Sequence, residues 1–436
     1  MTAEGVRLEH DPEREYGARL AERHRLREQL QKRSGRIAWG RLVAFAGGAI
    51  AAWLAFVSQT ISAWWPATAA VVFVLLIILH DRAIRGIRRV DRSVRYHEEA
   101  LDRVKGANLS KRSRGIEFAD PEHPYAVDLD LFGVGSLFTL IATSRTREGE
   151  RLLAHWLLAP ASAEEIRSRH HALAELVPRI ELREDLGTAG AEHFAGIDSE
   201  KLAAFLGPVP RTGSLPNRLA ALILAASNLI FLGAWLMFGW SVIPFLASVI
   251  ASSLFTLRLR DRVERLLEGI EPLTDGLSLF ALILQRLEDE RFEDPRLAGL
   301  QNQLTSAGEP ASAAIRRLGR LVALLDSARN QMFLPIALLL LWRAQLAFSA
   351  ERWKTQNGKE AVRWIAAVGE IEALISLANY WWEHPEQVLP QILDDSTTFE
   401  GTQLGHPLIA PQSVVRNDVR LDAKTPLLIV SGSNMS

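Results

Sequence analysis

Gly432 closes a short apolar run, Leu427, Leu428, Ile429 and Val430, and is followed by Ser433, Asn434, Met435 and Ser436. A phosphate-binding loop is written as a strand, then Gly, four free residues and Gly-Lys-Ser/Thr. Its backbone N–H groups cradle the phosphates, the Lys reaches the β- and γ-phosphates, and the hydroxyl binds Mg2+. These residues fill the strand and the opening of that pattern. They supply the tight turn and the first wall of a cradle, but no Gly-Lys-Ser/Thr follows within the 436 residues.

Other chemistry-bearing residues are grouped more loosely. Asp120, Glu122, His123, Asp128 and Asp130 offer oxygen and imidazole donors for magnesium or zinc, but no pair has a recognised ligand spacing such as His-Glu-x-x-His. The same stretch reads more simply as a turn and capping segment. His170 and His171 are neighbours on a predicted helix, so they point in different directions and read as a solvated pair rather than a paired site. The chain has no cysteine, which excludes disulfides, thiolate metal sites and a Cys nucleophile. There is no Gly-x-Ser-x-Gly elbow either. No catalytic residue and no metal ligand is assigned.

The elements that must position the loop begin in an unusual setting. With 48% hydrophobic and 23% charged residues, mean hydropathy +0.05 and net charge −1, the composition is too apolar for an ordinary soluble protein of this charge content. Two apolar hairpins account for it. The first joins "IAWGRLVAFAGGAIAAWLAFVS" to "AWWPATAAVVFVLLIILH"; the second joins "LAALILAASNLIFLGAWLMF" to "WSVIPFLASVIASSLFTL" at Gly239 and Trp240. Each arm approaches the roughly 20 residues needed to cross a bilayer core. Trp64, Trp65, Trp235 and Trp240 fall at the expected outer ends, where amphipathic rings prefer to sit.

Arginine sets the orientation. Arg82, Arg85, Arg88, Arg89, Arg92 and Arg95 follow the first hairpin, with Lys105, Lys111, Arg112 and Arg114 beyond them, and "RLRDRVER" follows the second. Both tips are uncharged, so the termini and everything between the hairpins are expected on the cytoplasmic side of the inner (cell) membrane. The Arg run would neutralise nucleic-acid phosphates, but its place directly after a span favours contact with anionic membrane lipids. A long charged leader precedes the first apolar run, so no signal peptide is expected. The run "MFLPIALLLLW" is too short to span and predicts a buried or interfacial helix continuing through "RAQLAFSAERW".

Between and after the hairpins the apolar spacing is helical: Leu137, Phe138, Leu140 and Ile141; then Leu152, Leu153, Trp156 and Leu157; then Ile166, Ala172, Leu173 and Leu176. The run Ser136-Leu137-Phe138, Thr143 through Gly149, Arg151-Leu152-Leu153, Trp156-Leu157, Pro160 and Ile166-x-x-Arg169-x-x-Ala172-Leu173-x-Glu175-Leu176 resembles the start of the helical core of the MutS family of DNA mismatch repair ATPases. "GEIEALISLANY" resembles the family's helix leading into the ATPase domain, "LGHPLI" its His-Pro entry, and "VVRNDVRL" its Asn-Asp segment beside the adenine pocket. "LLIVSGSNMS" is similar to the strand and opening of its Walker A loop.

The resemblance implies a mainly α protein. Polytopic membrane helices accompany an all-helical core, and an α/β P-loop ATPase domain starts at the C-terminus. The expected divisions are a cytoplasmic helical leader (1–36), the first transmembrane hairpin (37–80), a basic juxtamembrane linker (81–127), the first part of the core (128–215), the second hairpin (216–257), the rest of the core (258–385) and the start of the ATPase domain (386–436). It implies nucleotide-binding roles for Asn417, Asp418, Gly432, Ser433, Asn434, Met435 and Ser436, with ATP and Mg2+ bound by the complete protein and none by these residues alone. It also implies DNA as partner and a homodimer completing the ATP sites, in a chain cut inside the Walker A loop and therefore inactive as an ATPase. The Phe-x-Glu wedge of mismatch sensors is absent, since no Phe is followed two residues later by Glu. DNA repair or DNA-structure binding without mismatch sensing is expected. A membrane-anchored nucleotide switch for signalling or scaffolding is the other reading; a transporter is disfavoured because the spans carry no mid-membrane charge.

Reporter fusions at Ile61 and Gly239 are expected to read out on the non-cytoplasmic side. A cytoplasmic signal at either position would overturn the topology.

Overall fold

The computed structural model describes residues 10–62, 64–106, 113–189, 202, 205–207, 213–270, 273–305, 308–327, 333–394, 396–409 and 412–430. Helix α1 (Pro12–Phe56) starts where the Asp11 carboxylate accepts from Arg14 N at 3.1 Å and Pro12 takes the first turn, a start signal in both respects. It then runs through the polar leader into the apolar arm without a break, so leader and first arm are one 45-residue helix. Helix α2 (Trp64–Val104) makes the opposite change: apolar to His80, then polar with Val90, Ser93, Val94, His97 and Ala100 buried at three- and four-residue spacing. The two pack along their lengths as a stalk. Its apolar half is exposed, with Trp39, Phe45, Trp53 and Val71 each more than half accessible, and its polar half docks on the helical core.

A small antiparallel pair, β1 (Ser113–Arg114) with β2 (Gly133–Val134), leads into α3 (Leu137–Ile141), α4 (Arg147–Leu158), α5 (Ala163–Leu176) and α6 (Ile180–Thr188). Ser136, Thr146 and Ser162 each accept from a backbone N–H three residues on and so start α3, α4 and α5. The second hairpin is α7 (Leu215–Phe238) and α8 (Ile243–Ile270), turning at Gly239. Then follow α9 (Thr274–Glu288), α10 (Pro295–Thr305), α11 (Ala311–Ser327), the short α12 (Leu334–Leu339) and α13 (Trp342–Glu383).

Helix α13 is the axis. Its 42 residues span ~63 Å at 1.5 Å per residue. Trp353, Trp364, Val368, Ile371, Leu374 and Ala378 are buried where α4, α5, α8, α10 and α11 pack round it. The three apolar faces read from the sequence all turn inward: Phe138, Leu153, Ala172 and Leu176 are at most 1% exposed. Among the described residues four helices, α1, α2, α7 and α8, are long and apolar enough to cross a membrane.

One expectation changes. The run after Met332 is not one helix. Pro335 starts the six-residue α12, and Leu341, at φ 49°, breaks it from α13. Of the expected α/β start, the described C-terminal residues show two short strands. They form only an antiparallel pair, β3 (Phe399–Leu404) with β4 (Asn417–Leu421), interrupted by a bulge between Gly401 and Leu404. The expected strand Leu427–Val430 has no pairing partner among the described residues and is exposed throughout, Val430 by 86%.

Candidate functional site

Two segments far apart in sequence lock together where α4 crosses α13. Thr146 caps α4 by accepting from Gly149 N at 3.2 Å, and its own N–H donates to Glu372 on α13 at 3.0 Å. Its hydroxyl also donates to Glu372, and Arg145 N adds a third donor at 3.3 Å. One turn on, Ser376 meets Thr143 N (3.1 Å) and Ser144 Oγ (3.1 Å); another turn on, Asn379 donates to Thr143 Oγ1 (2.9 Å). The helices approach closely because both crossing points are glycine. A Cβ on Gly149 would lie 2.7 Å from Glu372 Oε2, and one on Gly369 would lie 2.8 Å from Glu148 Cγ and 3.1 Å from its backbone. Glu372 is 3% exposed, and burial pushes its carboxyl above the ordinary value, against the pull of the Thr146 and Arg145 donors.

The last turns of α13 hold the stalk. Arg103, at the end of α2, donates to Glu383 from Nε (2.9 Å) and Nη2 (2.5 Å), and Tyr16 of α1 donates its hydroxyl to the same carboxylate at 3.2 Å. Burial works against the Arg103 charge, but Glu383 more than offsets it and holds the guanidinium above its ordinary pKa. Burial, then the Glu383 charge, pushes the Tyr16 phenol well above its usual range. Arg183 of α6 donates to Asn379 Oδ1 at 2.6 Å and lies over the Trp382 ring at 5.3 Å. Higher on the stalk, Glu184 of α6 accepts from Ser93 (2.5 Å) and pairs with Arg23 (2.9 Å).

A sequence model of MutS domain III matches residues 127–378, more than half of the chain. The chain is a member of the MutS family. The matched stretch includes both halves of the α4–α13 lock, and the α7–α8 hairpin lies inside it, so here domain III is helical core on either side of an apolar hairpin. Comparison with curated proteins and with solved structures returned no match.

The nucleotide-site residues expected from the MutS resemblance divide. Gly432, Ser433, Asn434, Met435 and Ser436 lie outside the described residues. Asn417 and Asp418 are exposed on β4. Asp418 accepts from Gln403 N at 2.7 Å, which satisfies the N–H that the bulge frees from the ladder. His406 instead lines a cavity of ≈ 240 Å³ with Arg103, His384, Gln387, Leu408 and Arg416, against the foot of the stalk.

The remaining candidates resolve individually. Among the described residues no three His, Cys, Asp or Glu side chains are grouped to hold a metal. Asp120 accepts from Glu122 N (3.0 Å) in a turn, while His123 and Tyr125 meet the carbonyls of Leu158 (3.0 Å) and Leu157 (3.2 Å) at the end of α4. His170 and His171 are not a solvated pair: His170 is 7% exposed on the core face and His171 faces out. In the basic run Arg82, Arg85, Arg88, Arg89 and Arg95 are exposed on α2, whereas Arg114 turns inward to Glu150 and the Ala142 carbonyl. Lys111 and Arg112 lie outside the described residues.

Sequence reasoning missed Glu372, Glu383, Arg103 and Tyr16. One signal was available. Glu372, Ser376, Asn379 and Glu383 recur at four-, three- and four-residue spacing, a polar stripe on an otherwise apolar helix.

Arg103→Ala is expected to cost about 3–5 kcal/mol, because it leaves Glu383 charged and buried, whereas an Arg103→Met, Glu383→Leu double variant should recover most of that loss. Chemical unfolding in detergent micelles measures both. The raised Glu372 carboxyl makes a separate expectation. Between its ordinary and folded values the folded state binds more protons than the unfolded one, so stability falls as pH rises through that window. Unfolding titrated over that range should show the slope in the parent chain and lose it in Glu372→Gln; equal slopes would disprove the assignment.

Proposed function

We propose that this chain is the N-terminal portion of a membrane-anchored MutS-like ATPase that binds DNA in repair or DNA-structure recognition, without mismatch sensing. The observation that carries the reading is the domain III match from 127 to 378, continuous across an apolar hairpin long enough to span a bilayer. Four spans are anchored in the inner membrane lipids with both termini and the core cytoplasmic; the uncharged tips and the exposed arginines of α2 support that orientation. The boundaries are the leader (1–36), hairpin (37–80), linker (81–127), core (128–215 and 258–385), second hairpin (216–257) and ATPase start (386–436).

ATP and Mg2+ belong to a site that opens at Gly432, with Asn417 and Asp418 beside the base, and two subunits complete it as a homodimer. The loop's lysine and hydroxyl carry much of the phosphate and metal contact, so residues 1–436 by themselves bind ATP negligibly. The leader and first hairpin occupy the place of a wedge domain, and the interval from Asp261 to Arg352 is too short for both a long lever and a full DNA clamp. Mismatch discrimination, which uses unstacking at a deformable step, has no residue here to perform it.

The protein extended through a complete ATPase domain, purified in detergent and titrated with matched, mismatched and branched duplexes at two salt concentrations, is expected to bind with an affinity that falls steeply with salt. It should barely distinguish mismatched from matched duplex. A strong mismatch preference would refute the loss of the sensor. Binding to none of the three would replace DNA by a protein partner and favour the signalling or scaffold reading.

A further inference from the structure

From Phe333 to Trp342 no side chain is charged or carries an amide, and α12, within this stretch, packs beside the second hairpin. Leu334, Ile336 and Leu338 are exposed by 49, 50 and 69%. Two further observations fix what covers them.

The first is depth. Arg218 lies near the start of α7 and reaches the Phe348 carbonyl at 3.5 Å, while Asn228 donates to the Leu339 carbonyl at 2.9 Å. Ten residues separate Arg218 from Asn228, and ten more separate Asn228 from the tip at Phe238, so each interval is ~15 Å. If the hairpin crosses a ~30 Å core, the end of α12 sits midway between its faces.

The second is how the backbone is satisfied where α12 ends. A helix C-terminus leaves carbonyls without partners, and water would serve them. Here two side-chain amides do so instead, with Asn228 donating to Leu339 O and Gln345 donating to Leu340 O at 2.7 Å. Asn228 is itself 1% exposed and fully engaged, since its oxygen accepts from Ser248 at 2.6 Å. Internal satisfaction of every polar group is what hydrocarbon surroundings require.

We infer that α12 and the turn at Leu340 and Leu341 form a re-entrant membrane segment, dipping into the acyl chains of the cytoplasmic leaflet so that α13 begins inside the bilayer. The inference rests on the reading of the second hairpin as membrane-embedded. The buried, left-handed Leu341 turns the chain back, and the exposed Arg343 has the length to return its charge to the headgroups. The axis of the helical core is thereby attached to lipid directly, in addition to the hairpins.

The absence of native cysteine allows a clean test. Leu338→Cys, Ile230→Cys on the lipid face of α7 and Val362→Cys, 20 residues along α13 from Trp342, are each labelled with bimane in the full chain in phosphatidylcholine–phosphatidylglycerol liposomes. Doxyl-labelled phosphatidylcholine quenches from the membrane and iodide from the water. The label at Leu338 should lose its fluorescence to doxyl lipid as the one at Ile230 does and resist iodide, with Val362 the reverse. Quenching of Ile230 by lipid but of Leu338 by iodide overturns the re-entrant segment and leaves the hairpin reading intact. Protection of Leu338 from both quenchers places a second chain there instead and overturns it too. Iodide quenching at Ile230 would remove the hairpin reading and this inference together.

Discussion

A buried charge pair fixes how the molecule is held together. Arg103 and Glu383 have side chains 9% and 1% exposed, and they join the foot of the α1–α2 stalk to the last turn of the helix around which the core is packed. Removing two charges from water is expensive, and the pair persists because each charge is held by more than the other: Tyr16 adds a third hydrogen bond, and Arg183 and Asn379 are tied together one turn away. The geometry leaves little freedom. A stalk rotated about its axis would strand Glu383 without a partner, so the pair sets the register of α1 and α2 against the core, where the apolar contacts alone are more tolerant of sliding.

That register matters because the same two helices carry both an apolar and a polar surface. α1 and α2 each join apolar to polar surface without a break, and α2 ends at Arg103 beside the cavity lined by His384, His406 and Arg416. The second hairpin is joined by α8 running on into the core and by Arg218 and Asn228 of α7, which donate to the Phe348 and Leu339 carbonyls. The two apolar hairpins thus meet the core at opposite ends of α13.

Domain III of the MutS family is recognised here across a stretch that an apolar hairpin interrupts, and the fold shows how the interruption is accommodated. The two segments that interlock lie away from the hairpin's bonds to Leu339 and Phe348. Thr143–Gly149 and Glu372–Asn379 meet at the far end of α13 from α7, where two glycines let the helices approach closely.

Much of this was written locally in the chain. The four apolar arms, the helical spacing that buries Phe138, Leu153 and Leu176, and the caps at Ser136, Thr146 and Ser162 depend on residues within a turn or two of one another, so periodicity alone exposes them. The family resemblance named the segments that interlock, though it could not say that they touch. What only the tertiary structure decided were pairings over long separations: Thr146 with Glu372, 226 positions apart, and Arg103 with Glu383, 280 apart. In sequence these are ordinary polar residues of helices, and burial is what makes them matter, since a charge costs little until the fold removes its water. The break at Leu341 is of the same kind. A run of leucines has no local reason to leave the helix, and it does so where the hairpin's Asn228 takes the Leu339 carbonyl.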